Sequence, residues 1–247
     1  TVPPPNKPAA AFEAAMAAWD LEKANGPAAG MARGTGSQRI FDLLCRYGTR
    51  DYRYIGHKAI YVANGWRTLQ TIGWQHAEPV LRSLAYALLA YRGESPLSAD
   101  SMSDRPGKEN LQRLKEIRGT WLSGTRDAAV SQDLLATIRT GTWDDASRKV
   151  VELLNRGSGP PALWDAFFLP SSELLMRNAN IFSLHACTTI NALHYAWQHC
   201  SDDETRRFML LQTASFLPFF REDAEAKSGV EIDRFDGNRR VSTELVP

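Results

Sequence analysis

The chain has 247 residues, with 29 Lys+Arg against 28 Asp+Glu and a net charge of +1. That balance argues against a nucleic-acid-binding protein dominated by phosphate contacts, which would need a basic excess or stripe. Hydrophobic residues make up 43% and charged residues 23% of the chain, as in an ordinary globular protein. The most apolar run, residues 80–91, contains Arg82 and is too short to cross a membrane, so we expect no membrane span.

The three cysteines, Cys45, Cys187 and Cys200, form no CxxC pair. An odd and sparse set of this kind is not a disulfide framework. Free cysteine is among the most buried residue types, and we therefore interpret all three as buried or half-buried free thiols.

The sequence starts at Thr1 rather than Met and continues with Pro3-Pro4-Pro5. This start predicts a processed chain, with an upstream segment of the same precursor as a candidate partner in a hetero-oligomer. If that segment carried an export signal the protein would be periplasmic, and otherwise cytoplasmic.

Helical periodicity runs through nearly the whole first half of the chain. The patterns predict a helix over 8–23 closed by Asn25-Gly26-Pro27, a Gly-rich loop over 30–36, a helix capped by Ser37 and ended by Gly48, helices over 55–69 and 79–91, and a long exposed loop over 93–108.

Helical patterns continue through the second half, where caps and prolines mark the boundaries. The predicted helices cover 109–122, 127–139, 144–155 between Thr142 and Gly157, a stretch from Pro160 broken at Pro170, 180–199, and a final helix opened by a capping box at 201–204 and ended or kinked by Pro218. We therefore predict an all-α, single-domain array of about nine or ten helices over 1–221, arranged around a central cavity. A polar C-terminal arm over 222–247 follows, in which Val230 and Ile232 could form one short strand.

Histidines on near-apolar helices are the main candidates for chemistry. His57 shares a helix face with Tyr61 and Asn64, and His185 lies on a similar inward-looking face of the helix over 180–199. Polar groups on such faces must be hydrogen-bonded or bound to a ligand. Each histidine on its own is most simply a satisfied core residue, but convergence on one metal would satisfy several at once.

His76 and two carboxylates extend this candidate site. If residues 74–78 are extended ahead of Pro79, His76 and Glu78 project to the same side. Imidazole and carboxylate together suit zinc or non-haem iron. Glu173 is a further ligand or base, although a first-turn carboxylate that favours the helix dipole is the simpler interpretation. No fixed-spacing metal motif is present, so any site must be assembled from separate helices.

The stretches 55–69 and 73–84, together with Trp164-Asp-Ala-Phe-Phe, Glu173-Leu-Leu-Met-Arg177 and Leu184-His185, resemble a group of largely uncharacterised bacterial all-helical proteins that carry histidines. The resemblance covers most of residues 10–221 and implies an upstream helical segment. More distantly, the chain is similar to questin oxidase-like proteins, which implies an oxidative enzyme but no residue roles.

The sequence therefore predicts a metal-assisted oxidoreductase that acts on a small apolar or aromatic molecule. His57, His76 and His185 are the expected ligands of a divalent ion, iron or zinc, with Glu78 and Glu173 as the expected further ligand or base. The alternative is a non-enzymatic helical binding or assembly subunit whose buried histidines are structural.

Overall fold

The computed structural model describes residues 7–90 and 93–234. Within these residues the chain forms eleven α-helices and several short 3₁₀ turns, and no strand, so the predicted all-α class is confirmed. The helices are α1 (Pro8–Ala17), α2 (Leu21–Gly34), α3 (Ser37–Gly48), α4 (His57–Ile72), α5 (Ala77–Leu89), α6 (Arg105–Arg113), α7 (Ala128–Thr140), α8 (Trp143–Arg156), α9 (Pro160–Arg177), α10 (Ile181–His199) and α11 (Asp203–Ala224).

Helix α11 forms the centre of the core. Every residue from Phe208 to Phe220 is buried, so this helix has no solvent face along its middle. It packs against α3, α6, α7, α8, α9 and α10. A helix that is enclosed on all sides is expected to be mostly apolar, and Phe, Leu and Met dominate the middle of α11. Its buried polar side chains are hydrogen-bonded, Gln212 to the Thr49 carbonyl at 2.8 Å and Thr213 to the Met209 carbonyl at 2.6 Å.

Helices α4 and α10 join the two halves of the molecule. On one side α1 packs on α2, α2 on α5, and α5 on α4; on the other α10 packs on α9 and α11. The two joining helices run side by side in the same direction, because His57 meets His185 near their starts and Gln70 meets Tyr195 farther along. The histidine-bearing helices therefore pack directly on each other, and His57 and His185 lie half-buried where they meet. Farther along α10, His194 packs against Trp164 of α9 and His199 is exposed.

The capping residues in the sequence predicted both ends of α8 correctly. Thr142 and Asp145 form the capping box of α8, and Gly157 ends that helix in the left-handed conformation. The first predicted helix is instead two helices, because Trp19 takes a positive φ of 55° and Asp20 caps α2 by accepting from the Lys23 amide at 3.0 Å.

Three prolines that were expected to end helices lie inside them. Pro27 is in α2, Pro170 in α9 and Pro218 in α11, and all three are buried. An interior proline costs about 3 kcal/mol of helix stability. Helices that are packed on several sides gain more than that from burial, which is why the prolines do not interrupt them. The predicted capping box at 201–204 is replaced by a single N-cap, since Asp202 accepts from the Thr205 amide at 2.8 Å.

The start of the C-terminal arm lies against α9. The Lys227 amide donates to the Arg177 carbonyl at 3.2 Å, and Arg177 Nε donates to the Val230 carbonyl at 2.7 Å. Residues Ile232–Arg234 form a 3₁₀ turn where a short strand was one expectation. The rest of the predicted arm, from residue 235, lies outside the described residues.

Candidate functional site

His57 and His185 form a direct imidazole pair at the seam between α4 and α10. Their Nε2 atoms are 3.0 Å apart and their ring centroids 4.3 Å apart. Both side chains are half-buried, so the pair is shielded on the protein side and open on the other. The structure thus brings together two of the three histidines that the sequence singled out.

The other nitrogen of each ring is tied to the backbone. His57 Nδ1 lies 2.5 Å from the Tyr54 carbonyl oxygen, and His185 Nδ1 lies 2.6 Å from the Ile181 carbonyl oxygen. A carbonyl oxygen can only accept, so both Nδ1 atoms carry hydrogen. Each neutral ring then presents a lone pair on Nε2. Two unprotonated nitrogens only 3.0 Å apart repel, and a shared proton or a metal ion bound to both would remove that repulsion.

The donor set of this pair fits a transition-metal ion. Two nitrogens bound to one tetrahedral zinc at about 2.0–2.1 Å lie roughly 3.4 Å apart, close to the spacing seen here. A metal-binding histidine also normally donates its second ring N–H to a carbonyl or carboxylate, as both of these rings do. Across residues 7–90 and 93–234, no group of three or more His, Cys, Asp and Glu side chains could hold a metal ion, so the pair offers no third ligand from these residue types.

A strained turn aims His57 at its partner. Tyr54, Ile55 and Gly56 all have positive φ values, 58°, 48° and 80°. For a β-branched residue such as Ile55 this is a genuine outlier, and each such residue costs of order 1–3 kcal/mol. Gly56 also lets the turn approach α10, since a Cβ there would lie 2.3 Å from the Thr189 hydroxyl. The turn places the Tyr54 carbonyl on His57 Nδ1.

Two buried ion pairs hold the strained turn from both ends. On one side Arg53 donates to both carboxylate oxygens of Asp104, at 2.8 and 2.7 Å. On the other, Lys58 Nζ lies 2.7 and 2.8 Å from the two oxygens of Asp51. Lys58 has no exposed surface, and burial lowers its pKa although the Asp51 charge opposes that shift. Charges buried this deeply are costly alone, so the pairs fix the backbone between them.

His76 does not join the pair. It follows the far end of α4, a helix of 16 residues and about 24 Å, whereas His57 is at its start. The expected extended geometry is also wrong: Trp74–His76 is a 3₁₀ turn and α5 begins at Ala77. Pro79 is the third residue of α5, within the first turn, where backbone amides need no helical partner. Helical geometry therefore extends through the residues before it.

Glu78 is the second residue of α5, two residues after His76. Like His76, it lies beyond the end of α4 that is remote from the histidine pair. Its carboxylate lies 2.6 Å from Arg33 Nη2 and 3.7 Å from Arg82 Nη1. Glu78 thus joins α5 to α2 through ion pairs, at the end of α4 remote from His57.

Glu173 is buried in α9 and holds the C-terminal arm. Its carboxylate pairs with Arg139 at 2.5 Å and Arg177 at 2.8 Å, and accepts from the Ile232 amide at 2.9 Å. Burial tends to raise the pKa of Glu173, but these hydrogen bonds and charges outweigh it and hold the pKa below its usual range. Because α9 continues through Pro170, Glu173 is not in a first helical turn. These contacts indicate that Glu173 holds the C-terminal arm against α9. Because its pKa is lowered and its oxygens are occupied, Glu173 is not suited to act as a base.

A groove between α4 and α5 begins about one helical turn from His57, at Tyr61. It has a volume of about 430 Å³ and is lined by Tyr61, Asn64 and Thr68 of α4 and by Val80, Ser83 and Ala87 of α5. Tyr61 connects the groove to the pair, since its ring centroid lies 5.6 Å from that of His57. The mostly apolar walls suit a small apolar molecule with one or two polar groups.

Comparison with protein-family models, with curated proteins and with solved structures gives no match for this chain. The resemblance to histidine-bearing bacterial proteins therefore stays a prediction. In the part of the chain that the structure describes, no helix combines the length and apolar character needed to cross a bilayer.

Proposed function

We propose that this protein is a metal-dependent oxidoreductase whose ion, iron or zinc, is held by His57 and His185. The observation that carries the proposal is the pair of Nε2 atoms 3.0 Å apart, each on a ring whose Nδ1 is tied to a carbonyl. Imidazole nitrogen suits both zinc and iron. His76, Glu78 and Glu173 are not part of the proposed site.

The residues around the pair define what the chain contributes. His57 and His185 offer their Nε2 lone pairs, and the Tyr54 and Ile181 carbonyls fix the tautomers. The bound ion would supply Lewis acidity or redox capacity to an oxygen-containing ligand. Tyr61 and the groove between α4 and α5 would orient a small apolar or aromatic substrate beside the half-buried pair.

Metal binding is the first test. Chelator-treated protein is titrated with Zn²⁺, and anaerobically with Fe²⁺, by isothermal calorimetry. We expect one ion per chain, and we expect His57→Ala, His185→Ala and the double variant to lose binding to a similar extent, because the two ligands act as a unit.

His199 is the matched control for this titration. It lies on the same helix as His185, and its Nδ1 is also 2.8 Å from a backbone carbonyl, but it is exposed and follows the end of the seam. The His199→Ala variant should bind the ion as the wild type does. Equal binding by wild type and the double variant would refute the proposal.

Turnover is the second test. The iron-loaded protein is exposed to dioxygen with phenol, catechol or hydroquinone, and oxygen uptake is measured against the double variant. Oxygen uptake that depends on both histidines and on an aromatic compound supports an oxidoreductase. Stoichiometric metal binding without any turnover would favour the second candidate.

That second candidate is a non-enzymatic binding or assembly subunit. The observation that favours it is the exposed apolar surface around the pair: Tyr54 is 46% exposed, Ile181 55% and Leu184 47%. Large apolar side chains grouped on a surface often mark contacts with another molecule. In this case the histidine pair would strengthen the contact with a partner molecule. Loss of the two histidines would weaken association with that partner without affecting any reaction.

A further inference from the structure

The fold brings two of the three cysteines together. Cys45 is in the last turn of α3, and Cys200 follows the end of α10. Their exposed fractions are 1% and 5%, and the Cys200 thiol lies near enough to Cys45 to affect its ionisation. The sequence alone gave no sign of this contact, since the residues are far apart along the chain.

Hydrogen bonds that do not involve sulfur fix the two segments against each other. The Ser201 amide and hydroxyl donate to the two oxygens of Asp42 at 2.8 and 2.6 Å. The Gln38 side chain donates to the His199 carbonyl at 2.9 Å. Residues one turn and two turns before Cys45 are thus joined to both chain neighbours of Cys200, so the fold itself holds the two cysteines next to each other.

We propose that Cys45 and Cys200 form a structural disulfide when the chain folds in the presence of a small-molecule disulfide such as oxidised glutathione. One cysteine thiolate attacks a sulfur of oxidised glutathione, which forms a mixed disulfide and releases one glutathione thiolate. The second cysteine thiolate then attacks the protein sulfur of that mixed disulfide and releases the other. Two cysteine thiols are oxidised, one glutathione disulfide is reduced, and the two thiol protons go to the two glutathione molecules.

The reaction belongs to folding and not to the folded state. Burial, and secondarily the contact with Cys200, raises the pKa of Cys45 well above its ordinary value. A buried thiol with a raised pKa is a poor nucleophile and is closed to glutathione. Protein that folds in reducing buffer should therefore keep both thiols after oxidant is added, whereas protein refolded with oxidant should not.

Cys187 provides an internal control. It is half-buried in α10, and its Sγ donates to the Ser171 carbonyl at 3.2 Å. The proposal therefore predicts one specific bond and one remaining thiol, instead of a mixture of pairings.

The experiment refolds the full chain from urea in a mixture of reduced and oxidised glutathione, followed by intact-mass measurement and non-reducing peptide mapping. We expect wild type and Cys187→Ser to lose the mass of two hydrogen atoms and to yield a peptide linking Cys45 to Cys200. Cys45→Ser and Cys200→Ser should form no such link, with circular dichroism to verify their folding. Three free thiols in refolded, helical wild type, or a bond to Cys187, would overturn the proposal.

Discussion

Lys58 offers the sharpest test of how the strained turn before His57 is held. Replacing it by methionine keeps the shape of the stem but leaves the Asp51 carboxylate buried without its closest cation. Breaking a buried ion pair from one side costs about 3–5 kcal/mol. Arg50 Nε remains 3.8 Å from Asp51, so we expect a loss near the lower limit, about 3 kcal/mol.

Urea denaturation followed by circular dichroism measures this loss. For a slope of about 3 kcal/mol/M, the unfolding midpoint should fall by about 1 M. The double variant Asp51→Asn/Lys58→Met removes the uncompensated carboxylate and should recover part of the stability, but not all of it, because Arg50 then loses its carboxylate partner. Lys23→Met, which breaks an exposed pair with Asp20, should leave the midpoint almost unchanged. A Lys58→Met midpoint equal to that of the wild type, or a double variant no better than the single one, would refute the reasoning.

Three further predictions concern the turn and the arm. Gly56→Ala should lower the unfolding free energy by about 2 kcal/mol or more in urea titrations, because its φ is +80° and the new methyl group meets the Thr189 hydroxyl. Tyr54→Asn should raise the unfolding free energy by about 1 kcal/mol, because asparagine tolerates the left-handed region and the Tyr54 side chain is 46% exposed; an unchanged or lower value would contradict the claim of strain. Glu173→Gln should speed hydrogen exchange at the Ile232 amide, measured relative to its intrinsic rate, and acid should have the same effect on the wild type. The folded pKa of Glu173 lies below its usual value, so its stabilisation is present above about pH 4.3 and disappears as the pH falls through the folded pKa; protection of this amide that is constant between pH 7 and the acid limit of folding would contradict this.

The sequence was informative wherever a structure is decided within a few residues. Thr142 with Asp145, and Gly157, are caps whose hydrogen bonds are local, and they marked the ends of α8 correctly. Pro27, Pro170 and Pro218 misled because their effect depends on the packing of the whole helix, which a local pattern does not contain. Tertiary burial outweighs the local cost of each of them.

For the candidate site too, local patterns predicted some features correctly, and those that depend on helix packing could not be predicted. Helical periodicity predicted that His57 and His185 lie on inward-looking helix faces. Their contact with each other depends on α4 and α10 packing side by side in the same direction, which periodicity does not predict. His76 was added on a local rule about the residue before a proline, and the helix start overrides that rule. The sequence analysis missed the buried ion pairs that support His57; the charges of Asp51 and Arg53 just before α4, and of Lys58 in its first turn, are the signal that could have indicated them.

The central claim is that His57 and His185 are the two residues that bind the metal ion. Nitrogen-15 NMR of the histidine side chains during Zn²⁺ titration tests it directly, since it reports each ring nitrogen and each tautomer separately. We predict that both rings carry hydrogen on Nδ1 before zinc is added, and that one equivalent of zinc moves the Nε2 signals of these two residues and not those of His76, His194 or His199. Zinc that moves the exposed His76 and His199 signals first, or leaves the His57 and His185 signals in place at one equivalent, would contradict the account.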